Sequence, residues 1–375
     1  MEASHFDDRE RAFLEQKDMF VAEALAAAGY ANLKDVPDPT TRFAAPLPPV
    51  LVSDYRRLSP QDIDAIADAY LGEHGVAHFI VLNPGDAPEH SHPLLELASQ
   101  LADAIPLKYP VTHPMEGHRE ALGRFGPADG TLKIYNLDMK DGKTGYREQA
   151  ETAEMFDAHN DGLGYGGAVE VFALYADSAP LWGGYTYFQN MIGLSLRLAL
   201  ADPEAFATLF LPDAITALRP RGKGAIKVTT PVLFVNEHAQ PQVFFRVSTG
   251  EYQITWRPGL PALDRAAEFF GYHTKPFAPG STFVHLDRRG AGCLTRNQWV
   301  VHGRTPFIDG TRPGERRVLA RKWFMSAPEH ARYKHVPGMH ILNRFAAIYP
   351  ERFGPEFLAG DWNFDQATGT NVRKS

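Results

Sequence analysis

Eight short segments, 131–137, 169–175, 185–188, 225–235, 242–248, 281–286, 299–301 and 317–325, are rich in β-branched and aromatic residues and are separated by Gly, Pro, Asn or Asp. Runs of this length and texture read as strands bounded by turns, and eight of them suffice for a two-sheet barrel or jelly roll. Helical periodicity surrounds them. Phe13, Phe20, Val21 and Ala24 mark one helix within 7–28, Ile63, Ile66 and Ala67 a second after Ser59-Pro60, and Leu94, Leu95, Leu97 and Leu101 a third. Further helices are predicted over 194–209, broken at Asp202-Pro203, and over 261–272, while 78–82 reads as a buried strand. The expected fold class is mixed α+β with a mainly β core. No internal repeat or linker is evident, so 1–375 is read as one domain: a mostly helical part over 1–129, a β core over 130–325 and a C-terminal extension over 326–375.

A chain of 375 residues can bury a sizeable core without covalent staples. Its single cysteine, Cys293, excludes an internal disulfide and a thiolate metal cluster, so any metal must be held by nitrogen and oxygen. Cys293 has no recognisable base pattern near it and reads as a buried, inert thiol. The formal charge of −7, with only the short basic run Arg219-Pro220-Arg221-Gly222-Lys223, argues against a nucleic-acid partner. The charged N-terminus (Asp7, Asp8, Arg9, Glu10, Arg11) is no signal peptide, and no apolar run is long enough to span a membrane. A cytoplasmic protein acting on a small-molecule substrate is expected, with homo-oligomerisation left open.

His159-Asn160-Asp161 places an imidazole and a carboxylate two residues apart, on one side of an extended segment, where they can share a metal ion. Such a pair is common by chance, and its weight comes from a third possible ligand, His302. Two imidazoles and one carboxylate that leave positions open suit non-haem Fe(II). Other patterns have plainer explanations. Gly162-Leu163-Gly164-Tyr165-Gly166-Gly167 lacks the strand before it and the helix after it that a dinucleotide loop needs. His90-Ser91-His92 precedes a helix that Ser91 would cap. His330, His335 and His340 follow neither helical nor strand spacing.

The stretch Asn297-Gln298-Trp299-Val300-Val301-His302-Gly303-Arg304, followed by Arg317 and Arg321, resembles the Fe(II)/2-oxoglutarate-dependent dioxygenases of the taurine dioxygenase and clavaminate synthase-like superfamily. Three features carry the likeness. Gly183-Gly184-Tyr185-Thr186 looks like the family's G-G-x-T, with its threonine 27 residues after His159. Asn297 stands five positions before His302, and Arg317 and Arg321 resemble the arginine pair on the last strand. The resemblance covers roughly 130–325 and implies a double-stranded β-helix (jelly roll) with outer helices. It implies His159, Asp161 and His302 as iron ligands, and 2-oxoglutarate held by Arg317, or its neighbour Arg316, with the Thr186 hydroxyl. A planar arginine suits a carboxylate better than a lysine does. Arg321 would meet the other end of the cosubstrate or an anionic group of the substrate. The implied reaction consumes O2 and 2-oxoglutarate, releases succinate and CO2, and oxidises an unactivated C–H bond of a small polar substrate such as an amino acid or natural-product intermediate. Asp161 occupies the place that halogenating members vacate for chloride, which favours hydroxylation, desaturation or cyclisation. Tyr135, Tyr165 and Arg304 are candidate pocket residues, Arg304 alternatively bracing the loop after His302. The competing reading is a non-catalytic jelly-roll protein that binds the metal or 2-oxoglutarate.

Overall fold

The computed structural model describes residues 6–85, 91–111, 131–136, 149–162, 169–219, 226–235, 239–249, 252–312, 314–325, 362–365 and 370–373. The first part of the chain carries α1 (Asp8–Leu14), α2 (Gln16–Ala28), β1 (Ala45–Pro46), β2 (Val50–Val52), α3 (Pro60–Leu71), β3 (Val76–Val81), α4 (Pro93–Leu101) and β4 (Tyr109–Val111). Then come β5 (Leu132–Tyr135), β6 (Phe156–His159), β7 (Val171–Ser178), β8 (Trp182–Gly183), β9 (Thr186–Asn190), α5 (Met191–Ala201) and α6 (Pro203–Thr208). They are followed by β10 (Ile215–Arg219), β11 (Ile226–Thr230), β12 (Leu233–Val235), β13 (Pro241–Val243), β14 (Gln253–Trp256) and α7 (Pro261–His273). The series ends with β15 (Thr282–Val284), β16 (Ala291–Arg296), β17 (Val300–Arg304), β18 (Phe307–Ile308), β19 (Val318–Met325) and a hairpin of β20 (Trp362–Asp365) and β21 (Thr370–Arg373).

Local chemistry sets the element boundaries. Ser59 and Asp62 form a reciprocal capping box at the start of α3, with Pro60 at the first helical position, where its missing N–H costs nothing. The Asp202 carboxylate accepts from the Ala205 N–H ahead of Pro203, so the run over 194–209 is two helices. Pro231 divides 225–235 in the same way: β11 ends before it and β12 begins after it. The expected cap of α4 is corrected. His92, not Ser91, occupies the cap: its Nδ1 accepts from Leu94 N–H at 3.1 Å, and its Nε2 donates to Asp177 at 2.9 Å.

Two main mixed sheets organise the molecule. The larger runs β2-β3-β16-β7-β19-β4, with β5 also paired to β19, and the smaller runs β1-β15-β9-β17-β6. Pairing is antiparallel except for β1 with β15 and β2 with β3. Side-chain alternation along β7 separates two cores. Phe172, Leu174 and Ala176 join residues of the smaller sheet, among them Tyr187, Phe188 and Val301, in one buried cluster. Val171, Ala173 and Tyr175 point the other way, against Tyr70 of α3 and Leu94 and Leu97 of α4. Strand β7 is thus covered on both faces, which explains its unbroken apolar run. The segment between β9 and β15 adds α5 to α7, the sheet β11-β10-β14 and the hairpin β12-β13. Phe20 of α2 packs edge-on to Phe210 at the end of that helical pair, with ring centroids 5.3 Å apart. No described helix is long and apolar enough to cross a membrane.

Candidate functional site

Strand β6 ends at His159, and β17 holds His302 directly opposite it, so two imidazoles face each other across adjacent strands. Asp161 lies just beyond the end of β6. Its Oδ1 is 3.3 Å from His159 Nε2 and 4.0 Å from His302 Nε2, and one ligand atom from each of the three residues falls within 4.8 Å of the others. Ligand atoms about 2.1 Å from a shared metal and at right angles would sit about 3 Å apart. Small side-chain adjustments would therefore close the set around one ion. All three residues are buried. His159 Nδ1 donates to the Asp157 carbonyl at 2.8 Å, which leaves the Nε2 lone pair for a metal. The His302 ring stacks on Phe172 at 4.0 Å and 14°.

Asparagines fix the backbone that carries Asp161. The Asn297 side chain accepts from Asp161 N–H at 2.8 Å and donates to the Asp161 carbonyl at 3.0 Å and the Val169 carbonyl at 2.9 Å. Asn160 donates to the carbonyls of Asn297 and Val300 and accepts from Phe245 N–H. The middle residue of the tripeptide therefore serves the scaffold, and the five-residue interval from Asn297 to His302 lets one short turn hold two ligand segments. Gly303 follows from the same crowding. A Cβ there would lie 2.2 Å from the Tyr187 hydroxyl and 2.6 Å from the Phe156 carbonyl, so only glycine fits beside His302.

Asp161 Oδ2 turns to the other sheet. It accepts from Trp323 Nε1 at 2.7 Å and lies 3.6 Å from Arg321 Nη1. Burial pushes the Asp161 carboxyl up, but the Arg321 guanidinium and the His159 contact outweigh it and hold the group well below the usual carboxylate range. Burial, aided by Arg246, holds His159 below its ordinary value, and burial with the neighbouring His159 holds His302 well below. A carboxylate beside two neutral imidazoles is the protonation state that binds a divalent metal.

Residues two apart on β19 share a face, which places Leu319, Arg321 and Trp323 with the preceding Arg317 towards the triad. A cavity beside His302 is lined by Thr186, Arg317, Arg321, Ile134 and Phe172. Thr186 Oγ1 and Arg317 Nη1 are buried there with no hydrogen-bond partner among the described residues. Burial lowers the Arg317 guanidinium to about 10, which leaves it charged at neutral pH. Arg316 is exposed, and its carbonyl accepts from Ser178 Oγ. Tyr135 pairs with Val318 on the strand face opposite to cavity-lining Ile134. Arg304 donates to the carbonyls of Ala150, Thr152 and Glu154, so it braces the 149–155 segment at the cavity wall. Tyr165 lies outside the described residues, as do His90, His330, His335 and His340.

Two residues of the site went unread in the sequence. Trp323 had a signal, since it stands two after Arg321 on one strand. Arg246 had none: residues 245–247 run alongside the end of β6, with Arg246 bridged to His159, and nothing local announces that pairing.

No protein-family model matches the sequence, and no curated protein matches it. Solved structures do. The non-heme iron oxygenase OrfP, in complex with Fe and alpha-ketoglutaric acid, aligns over 88% of this chain and 97% of its own, at 16% identity and a TM-score of 0.52. This chain has the fold of OrfP. An asparagine oxygenase in complex with Fe(II), 2S,3S-3-hydroxyasparagine and succinate aligns at 12% identity over 86% and 92% of the two chains, with a TM-score of 0.44. A taurine dioxygenase from Burkholderia xenovorans aligns at 15% identity over 77% and 92%, with a TM-score of 0.45. The last two likenesses are too loose to argue from, and the OrfP likeness speaks for the fold alone, so the chemistry rests on the residues of this chain.

Proposed function

We propose that the protein is an Fe(II)/2-oxoglutarate-dependent oxygenase built on a double-stranded β-helix whose halves are the two main sheets, within one domain centred on 130–325. The observation that carries this is the buried His159, Asp161 and His302 set beside a cavity in which Thr186 Oγ1 and Arg317 Nη1 have no hydrogen-bond partner among the described residues. A nitrogen and oxygen donor set with two neutral imidazoles suits Fe(II). Buried polar atoms without partners are uncommon in folded proteins, and a guanidinium with a nearby hydroxyl fits the far carboxylate of a keto acid. Arg317 and Thr186 would hold that carboxylate, and His159, Asp161 and His302 the metal.

When bound, Fe(II) and 2-oxoglutarate would supply O2 activation coupled to decarboxylation of the keto acid, and so oxidation of a C–H bond of a small polar substrate such as an amino acid. The chain's own work is positional. Asn160 and Asn297 hold the Asp161 backbone, the Asp157 carbonyl sets the His159 tautomer, and Trp323 holds Oδ2 so that Oδ1 faces the imidazoles. Phe172 and Ile134 give the cavity an apolar wall. The retained Asp161 favours oxygenation over halogenation.

Anaerobic addition of Fe(II) and 2-oxoglutarate to the purified protein should produce a visible charge-transfer band that is absent from His302→Ala, and admitting O2 with an amino-acid panel should produce succinate. A wild-type protein with no band and no succinate would overturn the assignment.

A further inference from the structure

Arg246 occupies an unusual place. Asn160 N–H donates to the Phe245 carbonyl and Val247 N–H to the Ala158 carbonyl, each at 3.0 Å, which makes His159 and Arg246 a non-hydrogen-bonded antiparallel pair. In such pairs the side chains leave the same face and stand closest together. The register then forms one row across four strands: Phe188, His302, His159, Arg246. Thr186 and Arg304 form the next row on the same face. Arg246 is thus three strand spacings from the Thr186 strand, about 14 Å at roughly 4.8 Å each. The imidazoles of the triad lie between the two, and Arg246 cannot share the carboxylate that Thr186 and Arg317 would hold.

Arg246 is only 8% exposed. Its guanidinium carbon sits 4.0 Å from the centroid of the Tyr252 ring; among the described residues its buried Nε has no hydrogen-bond partner and no carboxylate forms an ion pair with it. A buried charge is normally paired, because leaving it unpaired in a low-dielectric site is costly. Ligands of the proposed function do not supply the counter-charge. A dication and a dianionic keto acid cancel; Asp161 is engaged by Arg321 and Trp323, Asp309 lies by Arg317, and the part-buried Asp157, which feels the Arg246 charge, forms no ion pair with it among the described residues.

We infer that Arg246, oriented by the Tyr252 ring, is a second oxyanion subsite that selects a substrate carrying a carboxylate or similar anionic group on the far side of the metal from Arg317. The inference rests on the oxygenase reading and narrows its substrate to acidic small molecules. A planar guanidinium stacked on an aromatic face suits two-point recognition of a carboxylate, and a hydrophobic or cationic group there would leave the charge unanswered.

The test uses pairs of constant size in which only one member carries carboxylates: aspartate against asparagine amide and glutamate against glutamine amide. Binding is measured by calorimetry to the Fe(II) and 2-oxoglutarate-loaded protein without O2, and the charge-transfer band checks the loading of each variant. The acidic member of at least one pair should bind wild type tenfold or more tightly than its amide. That preference should vanish in Arg246→Gln and return in part in Arg246→Lys. Equal or tighter binding of the amides to wild type, binding of no acidic member, or a preference unchanged in Arg246→Gln would each overturn the inference. The wild-type comparison stands even if the glutamine variant does not fold. Absence of the band from wild type would instead overturn the oxygenase reading itself, so the two failures are distinguishable.

Discussion

The two main sheets bring unlike chemistry to one space. The smaller sheet supplies the imidazoles of His159 and His302 and the hydroxyl of Thr186, donors with no fixed charge when the imidazoles are neutral. The larger sheet supplies Arg321 and Trp323 from β19, with Arg317 just before it, which fix charge and hydrogen bonding around Asp161 and the cavity. Asp161 is where they meet: Oδ1 faces one sheet and Oδ2 the other. Loss of a metal ligand and loss of the arginine that holds the anion should therefore have separate effects.

The sharpest break is His302→Ala on the smaller sheet, which should abolish Fe(II) binding and turnover while leaving the fold intact, as read by metal content after gel filtration and by circular dichroism. Next, Arg317→Gln on the larger sheet should leave metal content unchanged and weaken 2-oxoglutarate about 10- to 100-fold, the range for losing a charge-assisted pair worth about 1.5–3 kcal/mol. Equal loss of metal in that variant would break the division between the sheets. Trp323→Phe removes the indole donor to Asp161 without removing a ligand. It should lower metal affinity by about tenfold, the low end for partners that orient a ligand, measured by competition with a chelator.

The smallest effect is on stability of the metal-free protein. His159 and His302 are held neutral by burial, so their folded pKa values lie below that of the unfolded chain. Their contribution is fully present above the unfolded value of about 6.5 and is lost as pH falls below it towards the folded values. The urea midpoint should drop between pH 7.5 and 5.5, and the change should shrink in His302→Ala.

Legibility in the sequence followed the range of the interactions involved. His159 and Asp161 could be read because the two-residue spacing of a chelating pair is itself the constraint, whereas Thr186 came only through the family resemblance. β19 was legible because its apolar and aromatic run is local. β16 was not. Ala-Gly-Cys-Leu-Thr-Arg has weak strand propensity, and it is a strand because β3 and β7 flank it on both sides. Cys293 within it is fully buried, and burial pushes its thiol up to about 12, in keeping with an inert role. Asn160 was visible as a letter between two ligands, yet its task, bonding to Asn297, Val300 and Phe245, needs partners more than eighty residues away.

From residues alone came the kinds of donor, the exclusion of thiolate ligation, the strand-rich core and the order of the motifs, because these depend on residue type and short-range spacing. Folding decided which face each strand presents and who stands opposite whom. That is why buried Arg317, and not exposed Arg316, faces the cavity, why Tyr135 turns from it while Ile134 lines it, and why Arg246 comes to stand beside His159. Cross-strand register is a long-range property: a shift of one residue would turn every one of these side chains to the opposite face.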